Sequence, residues 1–318
     1  MVAGNLIDVT IDEEFRAGQK APQTREEIYS AMIVYGFLSY YDGRIKIPNK
    51  ELMKEFEKAL KDECFGVEPY KSKKFKTYMF EHNGISTDTI LSDIEVLNTN
   101  KNDKNFSNRL LFEIYNSNSI EGNTLTNQDT KLILEENIAP DDCSIKDILE
   151  CTNLKGAITR YRKLNTLDLN TILSIHSLIT YNILEPSKSG RLRNEDVYIG
   201  GCMFIPPKAD KVKDLLNASI TRFNNSDRGL VDMFQFKLDF VSIHPFVDGN
   251  GRTARLILNA LLEGSGYPRV IFKVNDKKYY YKALEDAQVR YKPESWIRYC
   301  ALLLKYNLEY LNDVDILK

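Results

Sequence analysis

Apolar residues recur with helical spacing through the last two thirds of the chain, and this periodicity limits the fold more than any other feature. From residue 106 onward, leucine, isoleucine, phenylalanine and tyrosine return every three or four positions, as in helices that bury one face. The pattern predicts helices over residues 106–120, 126–138, 145–163, 168–182, 209–224, 230–243, 250–263, 277–290 and 293–312. Only residues 188–207, which mix β-forming residues with paired glycines and prolines, break the pattern and predict a short β-hairpin.

The first hundred residues have shorter elements and more turn signals. Asp42 and Gly43 separate two β-forming runs, residues 38–41 and 44–47, and predict a tight hairpin with a helix on either side. The polar segment LNTNKNDKN predicts a domain boundary near residues 98–105. We therefore expect a small α+β domain over residues 1–100, with a leading arm, and an all-α domain with a small β-hairpin over residues 101–318.

Length, charge and cysteine usage exclude several classes of protein. The 318 residues are 43% hydrophobic, which is enough for a sizeable core without disulfides. The net charge of −2 makes a nucleic-acid-binding protein unexpected. The five cysteines have no zinc-type spacing, and we find no secretory leader and no apolar run long enough to span a membrane. These features predict a soluble cytoplasmic protein.

The segment HPFVDGNGRTAR, which starts at His244, combines groups that bind and activate a nucleotide phosphate. His244 can accept a proton near neutral pH, and Asp248 offers the hard oxygen ligand that Mg²⁺ prefers. Gly249–Gly251 lead into a helix, whose first amides can bind an anion. Arg252 and Arg255 share a helix face and can bind phosphate oxygens. Each feature alone is common, but together they predict a nucleotide-phosphate site.

HPFVDGNGRTAR resembles the Fic motif, HPFxxGNGRxxR, at every fixed position. Fic proteins are adenylyltransferases, which move AMP from ATP to a hydroxyl group of a target protein. The resemblance implies a helical core over about residues 106–315, in which His244 deprotonates the target hydroxyl and Asp248 holds Mg²⁺. The residues implied to bind the phosphates are Gly249, Asn250, Gly251, Arg252 and Arg255.

A second resemblance lies upstream, in SNSIEG, which begins at Ser117 and matches the inhibitory pattern [ST]xxxE[GN] of the family. Ser117 and Glu121 lie one helical turn apart. The resemblance implies an inhibitory helix over about residues 106–122, from which Glu121 pairs with Arg255 and holds ATP in an unproductive pose. The alternative is an ordinary helix end that is capped by Gly122.

Two later segments also resemble parts of Fic proteins. Residues 191–207 resemble the flap, beside which a target segment with a Ser, Thr or Tyr hydroxyl adds as an extended strand. Tyr280, Tyr281 and Gln288 stand at the spacing of residues that line an adenosine pocket, although Gln288 replaces an Asn. Core packing explains the tyrosines equally well. Homo-oligomers and self-modification also occur in the family.

The segment that begins at Thr24 resembles the winged-helix-like part of AAA-ATPase-like proteins, without their phosphate-binding loop, and implies a docking module. Four functions stay open. They are autoinhibited adenylyl transfer with ATP and Mg²⁺, AMP removal by water that Glu121 activates, another group transfer, and non-enzymatic regulation through the N-terminal module. The intact second glycine of the motif, Gly251, argues against another group transfer, and we favour the first function.

Overall fold

The computed structural model describes residues 7–8, 29–30, 32–33, 38–41, 44–46, 75–99, 106–200 and 203–310. The chain divides into two compact units. The first comprises residues Met1–Lys71 together with Lys318, and the second comprises Ser72–Leu317.

The first unit contains a three-stranded antiparallel sheet in the order β1-β3-β2. Its strands are β1 (Ile7–Asp8), β2 (Ser39–Tyr41) and β3 (Arg44–Lys46). Strands β2 and β3 pair antiparallel, as predicted for a hairpin of these two runs, while Asp42 and Gly43 between them lie outside the described residues. Strand β1 comes from the expected leading arm, where two residues are too few to show an alternating pattern. Most of the helices predicted here, and with them the winged-helix-like assignment, lie outside the described residues.

The second unit is helical, as predicted. Its helices are α1 (Phe75–Glu81), α2 (Thr87–Thr99), α3 (Phe106–Ile120), α4 (Asn127–Lys131), α5 (Ile145–Arg160), α6 (Leu169–Ile179), α7 (Ala209–Asn225), α8 (Leu230–Ile243), α9 (Asn250–Gly264), α10 (Lys277–Gln288) and α11 (Pro293–Glu309). A π-helical turn, Leu132–Glu136, continues α4, and a 3₁₀ turn, Val274–Asp276, precedes α10. Within the described ranges, no helix has the length and apolar character needed to cross a bilayer.

Helix α9 lies at the centre of this unit, because every residue from Arg252 to Leu262 is buried. Helices α8 and α11 contribute long runs of buried apolar residues to the same core. The centre of the fold therefore holds the helix that carries the second half of HPFVDGNGRTAR.

The boundary between the units lies near residue 71 rather than near residue 100. Helices α1 and α2 belong to the helical core, in which Tyr78, Ile90 and Ile94 are buried. The Lys305 ammonium on α11 also lies 2.7 Å from the Asp93 carboxylate on α2. A polar linker separates α2 from α3 along the sequence, but this does not separate the helices in space.

Residues 188–200 and 203–207 contain turns and bends without strand pairing. The predicted β-hairpin is therefore not seen in the described part of this segment. Its two prolines, Pro206 and Pro207, cannot donate hydrogen bonds to a strand ladder. Instead, the buried Arg193 side chain bonds to the carbonyl oxygens of Glu195 at 3.0 Å and Pro207 at 2.5 Å, and this holds the two ends of the segment together.

Candidate active site

The loop between α8 and α9 brings the HPFVDGNGRTAR residues together. Helix α8 ends at His244, which adopts a left-handed conformation with φ 52°, and the following Pro245 has no N–H with which to continue the helix. Helix α9 starts after Gly249, whose φ is 78°. The Asn250 amide closes the loop, because it accepts from the Phe246 N–H at 2.9 Å and donates to the Phe246 carbonyl at 2.8 Å.

His176 on α6 supports the same loop. Its Nδ1 accepts a hydrogen bond from the Gly190 N–H at 2.9 Å, so Nε2 carries the proton and donates to the Asp248 carbonyl at 2.9 Å. The imidazole ring also stacks on Phe246, with 3.6 Å between centroids. A side chain at Gly249 would place its Cβ only 3.4 Å from His176 Nε2. Nothing in the sequence around His176 indicates this contact with the motif loop.

The stability of this arrangement should depend on pH through His176. Burial lowers the pKa of His176 to about 4, so the unfolded chain takes up a proton at a higher pH than the folded chain does. The contribution of neutral His176 to the free energy of unfolding is therefore fully present above pH ~6.5. The free energy of unfolding declines by up to roughly 3 kcal/mol as the pH falls towards 4. Urea unfolding of wild type and His176→Gln from pH 7.5 to 4 should show the steeper decline in wild type. Parallel declines would contradict this assignment.

Burial favours the neutral form of the His244 side chain. Its Nδ1 lies 3.3 Å from the Val241 carbonyl, which can only accept, so the ring proton sits on Nδ1 and Nε2 is free in the neutral form. Burial lowers the pKa of His244 below its usual range, and the nearby Arg193 guanidinium contributes to this shift. Arg193 also donates to the His244 carbonyl at 2.8 Å. The sequence did not single out Arg193, because nothing distinguishes it from other arginines in a polar segment.

Arg255 is buried and contacts the end of α3. Its Nη2 donates to the Glu121 carboxylate at 2.8 Å and to the Ser117 carbonyl at 2.7 Å, and its Nε donates to the Ser117 hydroxyl at 2.9 Å. A Cβ at Gly251 would overlap the Glu121 carboxylate. Glu121 therefore lies directly against the first turn of α9, and the contact between Glu121 and Arg255 is present.

Arg252 is also buried, and its Nη1 lies 2.9 Å from the Glu150 carboxylate on α5. The Asp248 carboxylate is farther away, at 3.7 Å. The second oxygen of Glu150 accepts from the Asn123 side-chain amide at 2.9 Å. Neither Glu150 nor Asn123 is marked in the sequence, because a single acid in an amphipathic helix and a single asparagine in a turn form no recognisable pattern.

The two tyrosines on α10 have different environments. Tyr280 is buried against Phe272 and Trp296, and its hydroxyl accepts from the buried Lys237 amine at 3.2 Å. Tyr281 is half exposed and packs edge-on against Tyr280, so it is the more accessible of the two to a ligand. Gln288 donates to the Ser242 hydroxyl at 2.9 Å, and this bond joins the end of α10 to the last turn of α8.

The carboxylate of Asp248 is about half exposed and accepts from the Gly249 N–H. Within the described residues, no three His, Cys, Asp or Glu side chains cluster to form a metal site. A single accessible carboxylate nevertheless fits Mg²⁺, which keeps several waters and usually binds through one or two carboxylates together with substrate phosphates.

The chain is similar to known proteins over this region. Residues 166–262 match the Fic/DOC family. "Protein adenylyltransferase Fic" of Nematostella vectensis is 33% identical over 183 residues, which are 55% of this chain and 42% of that protein. The Aedes aegypti protein of the same name is 36% identical over 185 residues, 55% of this chain and 36% of that protein. The chain thus spans about two fifths of the length of these relatives.

Two solved structures have the same fold. Fic-1 from Caenorhabditis elegans superposes with a TM-score of 0.63 at 24% identity, over 81% of this chain and 84% of that one. A Fic domain containing signaling protein from Bacteroides thetaiotaomicron has a TM-score of 0.63 at 23% identity, over 72% and 96% of the two chains. The helical unit of this chain therefore has the fold of these two structures, and residues 166–262, which match the Fic/DOC family, include all of HPFVDGNGRTAR.

Proposed function

We propose that this chain is a protein adenylyltransferase, which transfers AMP from ATP to a hydroxyl side chain of a target protein and is inhibited by Glu121. The names of its relatives support the reaction. The contacts of Glu121 and Ser117 with Arg255 support the inhibition, because a carboxylate on Arg255 competes with a phosphate for the same donors.

One observation carries the proposal: buried arginine donors remain unpaired on the first two turns of α9. Arg252 Nε, Arg252 Nη1 and Arg255 Nη1 are buried and make no hydrogen bond within the described residues, although Arg252 Nη1 lies within ion-pair distance of Glu150. A buried unpaired donor of this kind costs free energy, and an anionic ligand would remove that cost. The first amides of α9 lack intrahelical partners as well, so the same place favours phosphate oxygens.

The reaction needs one proton transfer and one displacement at phosphorus. His244 Nε2 takes the proton of the target hydroxyl while the hydroxyl oxygen forms a bond to the α-phosphorus of ATP. The bond from that phosphorus to the bridging oxygen breaks, and pyrophosphate leaves. Arg252 and Arg255 neutralise the charge on the phosphates, which is the main requirement of such transfers. When bound to Asp248, Mg²⁺ would supply further neutralisation of phosphate charge.

The target is expected to bind along residues 191–207, next to His244. Arg193 joins the start of this segment to His244, while Tyr198, Met203 and Ile205 are exposed along it. Exposed apolar side chains of this kind suit contact with a segment of a target protein. Self-modification, homo-oligomers, a cytoplasmic location and a docking role for the N-terminal unit stay predictions.

The proposal is tested with Glu121→Gly, labelled ATP and a cell lysate, followed by mass spectrometry. We expect AMP on Ser, Thr or Tyr side chains of one or a few proteins, with this chain itself included in the search. An added phosphate, or any mass other than AMP, would exclude adenylyl transfer. Release of AMP from a modified target by the wild type would instead identify the reverse reaction.

The pH dependence of AMP transfer should report His244. Because burial lowers the pKa of His244, the base stays unprotonated to a lower pH than an ordinary imidazole does, so the acid limb of kcat/KM should lie below pH ~6.5. The measurement uses Glu121→Gly between pH 5 and 8, so that protonation of Glu121 does not contribute. An acid limb centred above pH 7 would contradict this role.

A further inference from the structure

Each of the two motif arginines of α9 forms an ion pair with a carboxylate. Glu121 binds Arg255 at 2.8 Å, and Glu150 lies 2.9 Å from Arg252. Both arginines are almost fully buried, and so is Glu150, whereas the Glu121 side chain is about one third exposed. Glu150 is therefore a fixed partner, and Glu121 is the partner that has room to leave.

The turn that follows Glu121 is bound to Glu150. The chain reverses at Gly122, whose φ is 96°, and the Asn123 amide then donates to the Glu150 carboxylate at 2.9 Å and to the Asp147 carbonyl at 3.2 Å. The Thr124 hydroxyl donates to the Asp147 carboxylate at 2.6 Å. These bonds fasten the end of the inhibitory segment to α5.

We propose that Asn123 and Glu150 are positioning residues that couple the inhibitory segment to Arg252. In this arrangement the Asn123–Glu150 bond keeps Glu121 on Arg255, and the same Glu150 carboxylate forms an ion pair with the Arg252 guanidinium. One carboxylate thus links the inhibitory turn to a phosphate-binding arginine. The inference rests on the proposed autoinhibited transfer and extends it to how inhibition is maintained.

The coupling predicts that the Asn123–Glu150 hydrogen bond affects the rate of AMP transfer only through Glu121. Asn123→Ala should raise the AMP-transfer rate about 5- to 50-fold, within the usual range of coupling between two sites, because the turn no longer holds Glu121 in place. In the Glu121→Gly background, Asn123→Ala should add no further increase. A merely structural role would not produce this dependence on Glu121, because loss of stability would lower the rate in both backgrounds.

Glu150→Gln separates the two roles of Glu150. The glutamine oxygen can still accept from Asn123, but the charge opposite Arg252 is lost. In the Glu121→Gly background we expect a several-fold higher KM for ATP with a smaller change in kcat, because Arg252 loses its ion-pair partner. Binding of a non-hydrolysable ATP analogue should weaken in parallel.

The matched control is Asn153→Ala, which removes an asparagine amide that lies on α5 itself and bonds the carbonyls of Ile179 and Tyr181. It should leave the rate unchanged. Thr124→Val provides a second way to loosen the turn if Asn123→Ala does not fold, and it should also raise the rate. Melting curves establish which variants are folded.

The outcomes are distinct. If Glu121→Gly raises the rate but neither Asn123→Ala nor Thr124→Val does, the coupling is wrong while autoinhibition stands. The coupling is also wrong if Asn123→Ala raises the rate of AMP transfer in the Glu121→Gly background as well. If Glu121→Gly itself has no effect, autoinhibition fails and the coupling fails with it.

Discussion

Glu121→Gly is expected to raise the rate of AMP transfer about 10- to 100-fold. The substitution removes the carboxylate that bonds Arg255 at 2.8 Å, and a hydrogen bond between charged groups contributes about 1.5–3 kcal/mol. Arg255 is then available to the γ-phosphate, and the space against Gly251 is vacated. The measurement is incorporation of labelled AMP into lysate proteins, or into the variant itself.

Two controls make this result specific to the Arg255 contact. Glu136→Gly removes an exposed glutamate from the π-helical turn Leu132–Glu136 and should leave the rate near that of wild type. Ser117→Ala removes only the hydroxyl that accepts from Arg255 Nε and should cause a smaller increase than Glu121→Gly does. If the rates of Glu121→Gly and wild type are the same, Glu121 does not inhibit the enzyme.

His244→Ala, made in the Glu121→Gly background, is expected to lower kcat by about 10²- to 10⁴-fold, the usual contribution of a positioned general base. ATP binding should change little, because the groups proposed to bind the phosphates are Arg252, Arg255 and the first amides of α9. Rapid-quench measurement of AMP transfer and equilibrium binding of an ATP analogue distinguish the two effects.

His82→Ala is the matched control, because His82 lies just after α1 and bonds the Tyr78 carbonyl at 2.8 Å. This variant should keep its kcat. A loss of less than tenfold in His244→Ala would mean that another group accepts the proton. Nearby candidates are few, since the His176 ring uses both of its nitrogens to hold the loop.

Much of the helical fold was predictable from local sequence. Helices α3 and α8 begin and end at the predicted residues, and α9 differs by one residue at its end. Their apolar faces, caps and following glycines or prolines act over a few residues, so periodicity detects them. The prediction of a β-hairpin over residues 188–207 was less successful, because strand pairing depends on a partner strand as well as on local residue types. The β-forming residues of this segment have no paired strand in the described part of the chain.

The candidate site was predictable where its residues adjoin in sequence. His244, Asp248, Arg252 and Arg255 lie within twelve residues, and the loop brings all of them to one place. Ser117 and Glu121 were found through their resemblance to a known pattern, and the structure places both on Arg255. The residues that support the site, Arg193, Asn123 and Glu150, were not predicted, because each is a single polar residue in an element of its own.

The sequence by itself therefore determined the helical architecture and the twelve-residue segment, since these depend on spacing along a single helix or loop. The resemblance to the inhibitory pattern implied which arginine Glu121 contacts. Only the tertiary structure decided that α1 and α2 belong to the core, that His176 supports the motif loop, and that Glu150 joins Arg252 to Asn123. These contacts link residues that are far apart in the chain, and they form only when separate helices pack and exclude water from their polar groups.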